Sequence, residues 1–156
     1  MLEILDKADR DIDFSQFDND GADGVPNSGD DDGEVDYLIV MIRERPRNFI
    51  VGQADGYGSL GFDDNYFTSD TGANGKPIEI SGVLFRGAVA REFNFAQTMG
   101  VAVHEYGHGF GLPDLYHTTL KTAGIGKWGL MGAQGALGFD FNKPSPLSAW
   151  SREELG

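Results

Sequence analysis

A chain of 156 residues with 40% hydrophobic and 12% aromatic side chains has enough apolar material for one domain with a sizeable core, which excludes a disordered chain. Its net charge of −13, from 25 acidic against 12 basic side chains, repels nucleic acid and anionic membranes and argues against both as partners. There is no cysteine, so disulfides and thiolate metal sites are excluded, and no run of about 18 apolar residues that could enter a membrane as a helix.

In chain order, Leu2, Ile4, Leu5 and Ala8 sit at helical spacing. The opening MLEILDKADRDIDF reads as the last turns of an amphipathic helix, not as a signal peptide. Ten of the 26 positions from Asp11 to Asp36 are acidic, and Phe17 to Asp36, rich in Gly, Asn, Asp and Pro, is expected to be loop. YLIVMI, Tyr37 to Ile42, predicts a buried strand. Arg43 to Pro77 is glycine-rich and polar, with room for one or two short strands, and Ile78 to Gly87 predicts another. Asn94 is placed to cap a helix from Phe95 to Phe110, with Phe95, Met99, Ala102, Val103 and Phe110 as its buried stripe and Gly109 and Gly111 as its stop. Trp128 and Trp150 read as core aromatics. Ser145 with Pro146 predicts the start of a final helix. The chain stops just after it, so both ends read as cuts through a larger polypeptide.

All three histidines lie between Val101 and His117, in VAVHEYGHGFGLPDLYH. His104 and His108 are four residues apart, one turn along the same helical face, so two imidazole nitrogens can converge on one ion at about 2.0–2.1 Å. Glu105 is rotated by about 100° from His104, near such an ion without coordinating it, where a carboxylate can act as general base. Gly111 can turn the chain sharply out of the helix and swing Asp114 back as a third ligand. WGLMG then sets Met131 in a tight turn flanked by glycines.

HEYGHGFGLPD, read as H-E-x-x-H-x-x-G-x-x-D, and the later methionine turn are similar to the metzincin zinc peptidases. HEYGHGFGLPDLY, KWGLMG, PSPLSAWSREELG and FDNDGADGVPNSGDDDGEVDYLIV together resemble the immune inhibitor A type of secreted bacterial metallopeptidase. The resemblance implies an α/β (α+β) zincin domain across residues 1–156: a small mixed, twisted sheet packed on the motif helix, then an irregular C-terminal part with the methionine turn and a final helix. It implies a secreted zinc endopeptidase acting on protein or peptide substrates. In it His104, His108 and Asp114 hold zinc, Glu105 is the general base and Met131 is the methionine of the turn. The family pattern has aspartate after LPDLY where this chain has His117, which is either an alternative ligand or a surface residue. Neither Tyr106 nor Tyr116 can be given a role in stabilising an oxyanion from spacing. A substrate strand is expected to lie along Gly82 to Arg86.

DNDGADG and DDDGEVD each resemble half of a calcium loop, with Asp18, Asp20, Asp23, Asp30, Asp32 and Asp36 as candidate ligands. Neither half is a full EF-hand loop, so the expected site is of another kind; the competing reading is a solvated acidic loop. The rival for the whole chain is an inactive or truncated metallopeptidase-fold module acting in calcium-dependent binding or adhesion. An intact Glu105 argues against it.

Overall fold

The structure is a computed structural model that describes residues 1–42, 56–82, 86–90, 95–138 and 143–156. In chain order its regular elements are helix α1 (Leu2–Ala8), strand β1 (Leu38–Ile42), strand β2 (Gly56–Tyr57), strand β3 (Tyr66–Thr71), strand β4 (Pro77–Ile80), strand β5 (Arg86–Ala90), helix α2 (Phe95–Gly109) and helix α3 (Ala149–Glu154). The architecture is α/β, as expected. Two compact units divide it: Met1–Leu38 with Ser59–Arg86, and Ile39–Gly58 with Gly87–Gly156.

In the first unit β3 and β4 form an antiparallel hairpin with Tyr66 opposite Ile80, Phe67 opposite Glu79, and an irregularity before Thr71 meets Pro77. Period-two alternation sorts its side chains: Ile78 and Ile80 are fully buried, whereas Pro77 and Phe67 face outward. The acidic segment runs along this hairpin. Val35 N–H donates to the Glu79 carbonyl and Glu79 N–H to the Gly33 carbonyl, both at 2.9 Å, making a short parallel bridge beside β4. Asn27 anchors the segment's middle, since its Oδ1 accepts from Ala73 N–H at 2.5 Å and its Nδ2 donates to the Thr71 carbonyl at 3.2 Å. Upstream, Asp13 caps a 3-10 turn over Phe14–Phe17 and accepts from Ser15 N–H, which leaves Phe14 buried; Leu5 is the inward residue of α1.

In the second unit the strands run in the order β1-β5-β2, with β2 antiparallel to β5 in the register Gly56 to Val89 and Tyr57 to Ala88. Helix α2 packs on β2. Its inward face is Gly100, Val101, Ala102, His104, Glu105 and Gly107, and Ile39 and Ala136 pack on Val101 and Ala102. A second cluster buries Leu112, Leu130 and Met131, with Leu115 and Leu147 against them.

Several expectations need correcting. Phe95, Val103 and Phe110 are exposed, because the inward face of α2 carries the polar motif residues and the large apolar ones fall on the other side. Trp128 is 78% exposed and Trp150 is exposed as well, so neither is a core aromatic. β1 is half-buried with Met41 exposed, not a buried strand. The run Ile78 to Gly87 is not one strand: β4 ends at Ile80, and the Gly82 carbonyl accepts from Leu60 N–H at 2.8 Å instead. The final helix is capped by Ser148, whose Oγ accepts from Ser151 N–H, because the Ser145 hydroxyl is already donated to the Lys127 carbonyl at 2.6 Å. Asn94, the expected cap of α2, and Val83 to Phe85 lie outside the described residues. Arg86 begins β5, the middle strand of its sheet, so the described end of the Gly82 to Arg86 stretch is not an edge.

The alternation in the hairpin sets a direct test. Ile78→Ala is expected to cost about 2–5 kcal/mol in denaturant unfolding and Phe67→Ala well under half of that. Similar losses for the two would mean that the inward face has been misassigned.

Candidate metal centre

The local sequence of α2 builds the centre. Beyond Gly109 the helix closes with Leu112 N–H donating to the Gly107 carbonyl at 3.2 Å and Gly111 N–H to the His108 carbonyl at 2.9 Å. This is a Schellman cap, and it needs a left-handed residue where Gly111 has φ +82°. The cap returns the Leu112 carbonyl to His108, whose Nδ1 lies 2.7 Å from it. His104 Nδ1 lies 2.8 Å from the Leu130 carbonyl. A carbonyl only accepts, so each Nδ1 carries a proton; each Nε2 is then the nitrogen that meets Asp114, donating to it when the ring is protonated and presenting a lone pair when the ring is neutral.

Those two Nε2 atoms meet one carboxylate. Asp114 Oδ1 is 3.1 Å from His104 Nε2 and 3.5 Å from His108 Nε2, and one donor atom from each of the three residues lies within 4.8 Å of the others. Glu105 is buried alongside, with Oε2 at 4.0 Å from His108 Nε2. Burial pushes the Glu105 carboxyl upward, while the imidazoles of His104 and His108 pull it back in part. Burial also pushes the Asp114 carboxyl up, but the hydrogen bonds from both imidazoles outweigh it and hold Asp114 well below the usual carboxylate range. His104, His108 and Asp114 are thus brought together; His117 is not. Its Nδ1 accepts from Leu120 N–H at 3.0 Å, and its backbone bridges to Thr122.

Met131 is fully buried, and its position explains a glycine inside the motif. A Cβ on Gly107 would come within 2.7 Å of Met131 Sδ, so the sulfur packs against the bare helix backbone between the two histidines. The Met131 carbonyl accepts from Leu115 N–H at 2.7 Å, while its neighbour Leu130 holds His104. Gly56 of β2 lies closer still to the Glu105 carboxylate, where a Cβ would clash. A cavity of about 250 Å³ opens at the centre, lined among others by Gly56, His104, Glu105, Tyr116 and Gln134. The ring of Tyr116 is 6.3 Å from that of His104, centroid to centroid. Sequence reading missed the two orienting carbonyls, Gly56 and Gln134. The glycine at the fourth place of HEYGH was the one available signal of close packing.

Of the six aspartates singled out in the acidic loop, three converge: Asp18, Asp20 and Asp36. The others serve the loop backbone. Asp23 accepts from Val25 N–H at 2.8 Å, Asp30 from Asp23 N–H at 3.2 Å, and Asp32 from Glu34 N–H at 2.7 Å. Asp31, which the pattern did not single out, bridges Gly21 N–H at 2.7 Å and Ser28 N–H at 2.6 Å. Asp18 is 1% exposed; its Oδ2 accepts from Gly33 N–H, and its buried Oδ1 has no partner among the described residues. Burial pushes the Asp18 carboxyl up to about 6, with the neighbouring aspartates adding to the shift against the Gly33 hydrogen bond.

The contact between Gly107 and Met131 yields a coupled prediction. Gly107→Ala is expected to destabilise by about 1–3 kcal/mol through overpacking, yet in a Met131→Ala background to stabilise by up to about 1 kcal/mol through helix propensity. Thermal unfolding of the four proteins measures the coupling; additive effects would remove the contact as its cause.

Residues 2–155 match the family model described as immune inhibitor A peptidase M6, catalytic domain. Among curated relatives, the chain is 33% identical to immune inhibitor A of Bacillus thuringiensis subsp. alesti over 129 residues, covering 76% of this chain and 18% of that protein. It is 29% identical over 175 residues to the pre-pro-metalloprotease PrtV of Vibrio cholerae serotype O1 (strain M66-2), covering 99% of this chain and 18% of that protein. The chain thus spans about a fifth of the length of these relatives. With its histidine pair, adjacent glutamate and glycine-turned aspartate, the chain belongs to the immune inhibitor A peptidase M6 family, in the catalytic domain.

Proposed function

We propose that the chain is the catalytic core of a secreted zinc endopeptidase that hydrolyses peptide bonds of proteins, with His104, His108 and Asp114 as zinc ligands and Glu105 as general base. One observation carries this reading: both imidazoles commit Nδ1 to a backbone carbonyl while both Nε2 atoms face the same Asp114 oxygen. Two oriented imidazoles and one carboxylate fit zinc better than calcium or magnesium, which favour oxygen-only ligand sets. Family membership supports a metal-dependent peptidase, and the relative PrtV is named as a metalloprotease.

A zinc ion held there supplies Lewis acidity, acidifying a water and polarising the substrate carbonyl. The proton work belongs to Glu105. Its carboxylate takes the proton from the attacking water and returns it to the nitrogen of the leaving amine. Burial favours this, since a base raised above the ordinary glutamate range holds a proton more readily near neutral pH. Tyr116 lines the same cavity, and its O–H donates to Asp114, which helps to hold that carboxylate in position. Asp114 and His104 have no proton to move in this scheme; they hold position. The prediction is that Glu105→Gln retains one zinc per chain by elemental analysis and loses casein hydrolysis by about a hundredfold or more. Undiminished hydrolysis would remove Glu105 as base, and loss of zinc would make it a ligand instead.

We further propose that Asp18, Asp20 and Asp36 hold a structural calcium ion. The support is the buried, unpartnered Oδ1 of Asp18: a carboxylate oxygen removed from water without a donor is costly unless a cation meets it. Bound there, calcium would tie the start of the acidic segment to its end, just ahead of β1. Calcium at about a hundred times its Kd should then stabilise the zinc-loaded protein by about 2.7 kcal/mol, read as a rise in Tm. Asp18→Asn should lose that response. An unchanged Tm in the wild type at millimolar calcium would leave the segment a solvated acidic loop.

A further inference from the structure

Beside the metal cavity lies a second depression of about 360 Å³, walled by His117, Thr118, Lys121 and Thr122 and sharing Tyr116, Ala133 and Gln134 with the first. It is built from the segment that runs from the last proposed ligand to just past Met131, within one compact unit. A side chain adjacent to a peptide bond held in the metal cavity would reach it across that shared wall. Its chemistry is unlike that of the chain as a whole. In a protein of net charge −13, no Asp or Glu is among its described lining residues, and two of its walls are Lys121 and His117.

Both side chains carry N–H donors. Among the described residues Lys121 takes part in no ion pair. Its backbone sits at φ +53°, a left-handed conformation disfavoured for lysine, and the loop keeps it there by pairing His117 N–H with the Thr122 carbonyl at 3.3 Å. His117 Nδ1 accepts from Leu120 N–H, so the ring proton resides on Nε2 and that nitrogen is a donor.

We propose that this depression is a substrate subsite selecting a carboxylate side chain, glutamate or aspartate, close to the scissile bond, with Lys121 and His117 as its specificity-determining residues. The assignment rests on the endopeptidase reading above and adds the substrate class to it. The test uses zinc-loaded protein and pairs of peptides built on a sequence it cleaves in casein. The members of each pair differ only by Glu or Gln, placed in turn at about three positions on either side of the cleaved bond. At one position kcat/KM is expected to favour Glu by about tenfold, and raising ionic strength from about 0.05 M to about 0.5 M should erode that preference in the unmutated protein. Lys121→Glu should invert the ratio, His117→Asp should lower it, and Lys121→Arg should keep it. The ratio is taken within each variant, so a folding defect that lowers both rates cancels. A Glu to Gln ratio within about twofold of unity at every position, or one that Lys121→Glu leaves unchanged, overturns the subsite while leaving the peptidase reading intact. A zinc-loaded protein that cleaves neither casein nor any peptide overturns the peptidase reading first, and the subsite with it.

Discussion

Two backbone carbonyls, those of Leu112 and Leu130, govern the centre of this protein. Each takes the Nδ1 proton of one histidine and so aims the opposite nitrogen at Asp114. Without them the imidazoles could rotate about χ2 and present either nitrogen, and a pair at helical spacing would be two side chains, not a site. A carbonyl is a dependable guide because it belongs to the backbone and accepts in every protonation state of its surroundings. Its position is only as good as the turn that carries it. Leu112 comes from the helix cap at Gly111, and Leu130 from the segment that buries Met131.

These requirements explain features of α2 that make it a poor helix. Gly100 and Gly107 each cost an interior helical position about 1 kcal/mol against alanine. Gly107 lets the Met131 sulfur seat against the backbone, and Gly100 lets the Ala136 carbonyl come close. Its inward face, moreover, carries His104 and Glu105 where a structural helix would place leucines. Tertiary contacts on both sides must compensate, and the clusters around Val101 with Ala102 and around Met131 supply them.

The acidic segment shows a division of labour among like residues. Asp23, Asp30, Asp31 and Asp32 accept hydrogen bonds from nearby backbone N–H groups and so fold the loop on itself. They stay near solvent, where ionised carboxylates are cheap. Asp18 is the exception, since it is buried and one of its oxygens is unpartnered. The same residue type thus serves as turn former and as strained buried acid a dozen residues apart, and only burial separates the two.

Much of this was legible from residue order. The spacing of His104, Glu105, His108, Gly111 and Asp114 is local, and a helix followed by a left-handed glycine converts it into geometry with few alternatives; the α/β class, α1, the motif helix and the loop character of Phe17 to Asp36 were likewise read from periodicity and turn residues. What residue order could not decide was which surfaces face each other. Phe95, Phe110, Trp128 and Trp150 are apolar enough for a core but lie outside it, because burial depends on what packs against a helix and not on its own side chains. Six aspartates of equal promise resolve into three that converge and three that hold turns, since convergence depends on the path of a loop pinned by Asn27 to a distant hairpin. His117 is adjacent in sequence to the metal motif yet is drawn off by Leu120 and Thr122. Short-range steric rules fix a turn wherever it occurs, whereas the partner of a side chain thirty residues away exists only once the chain has folded.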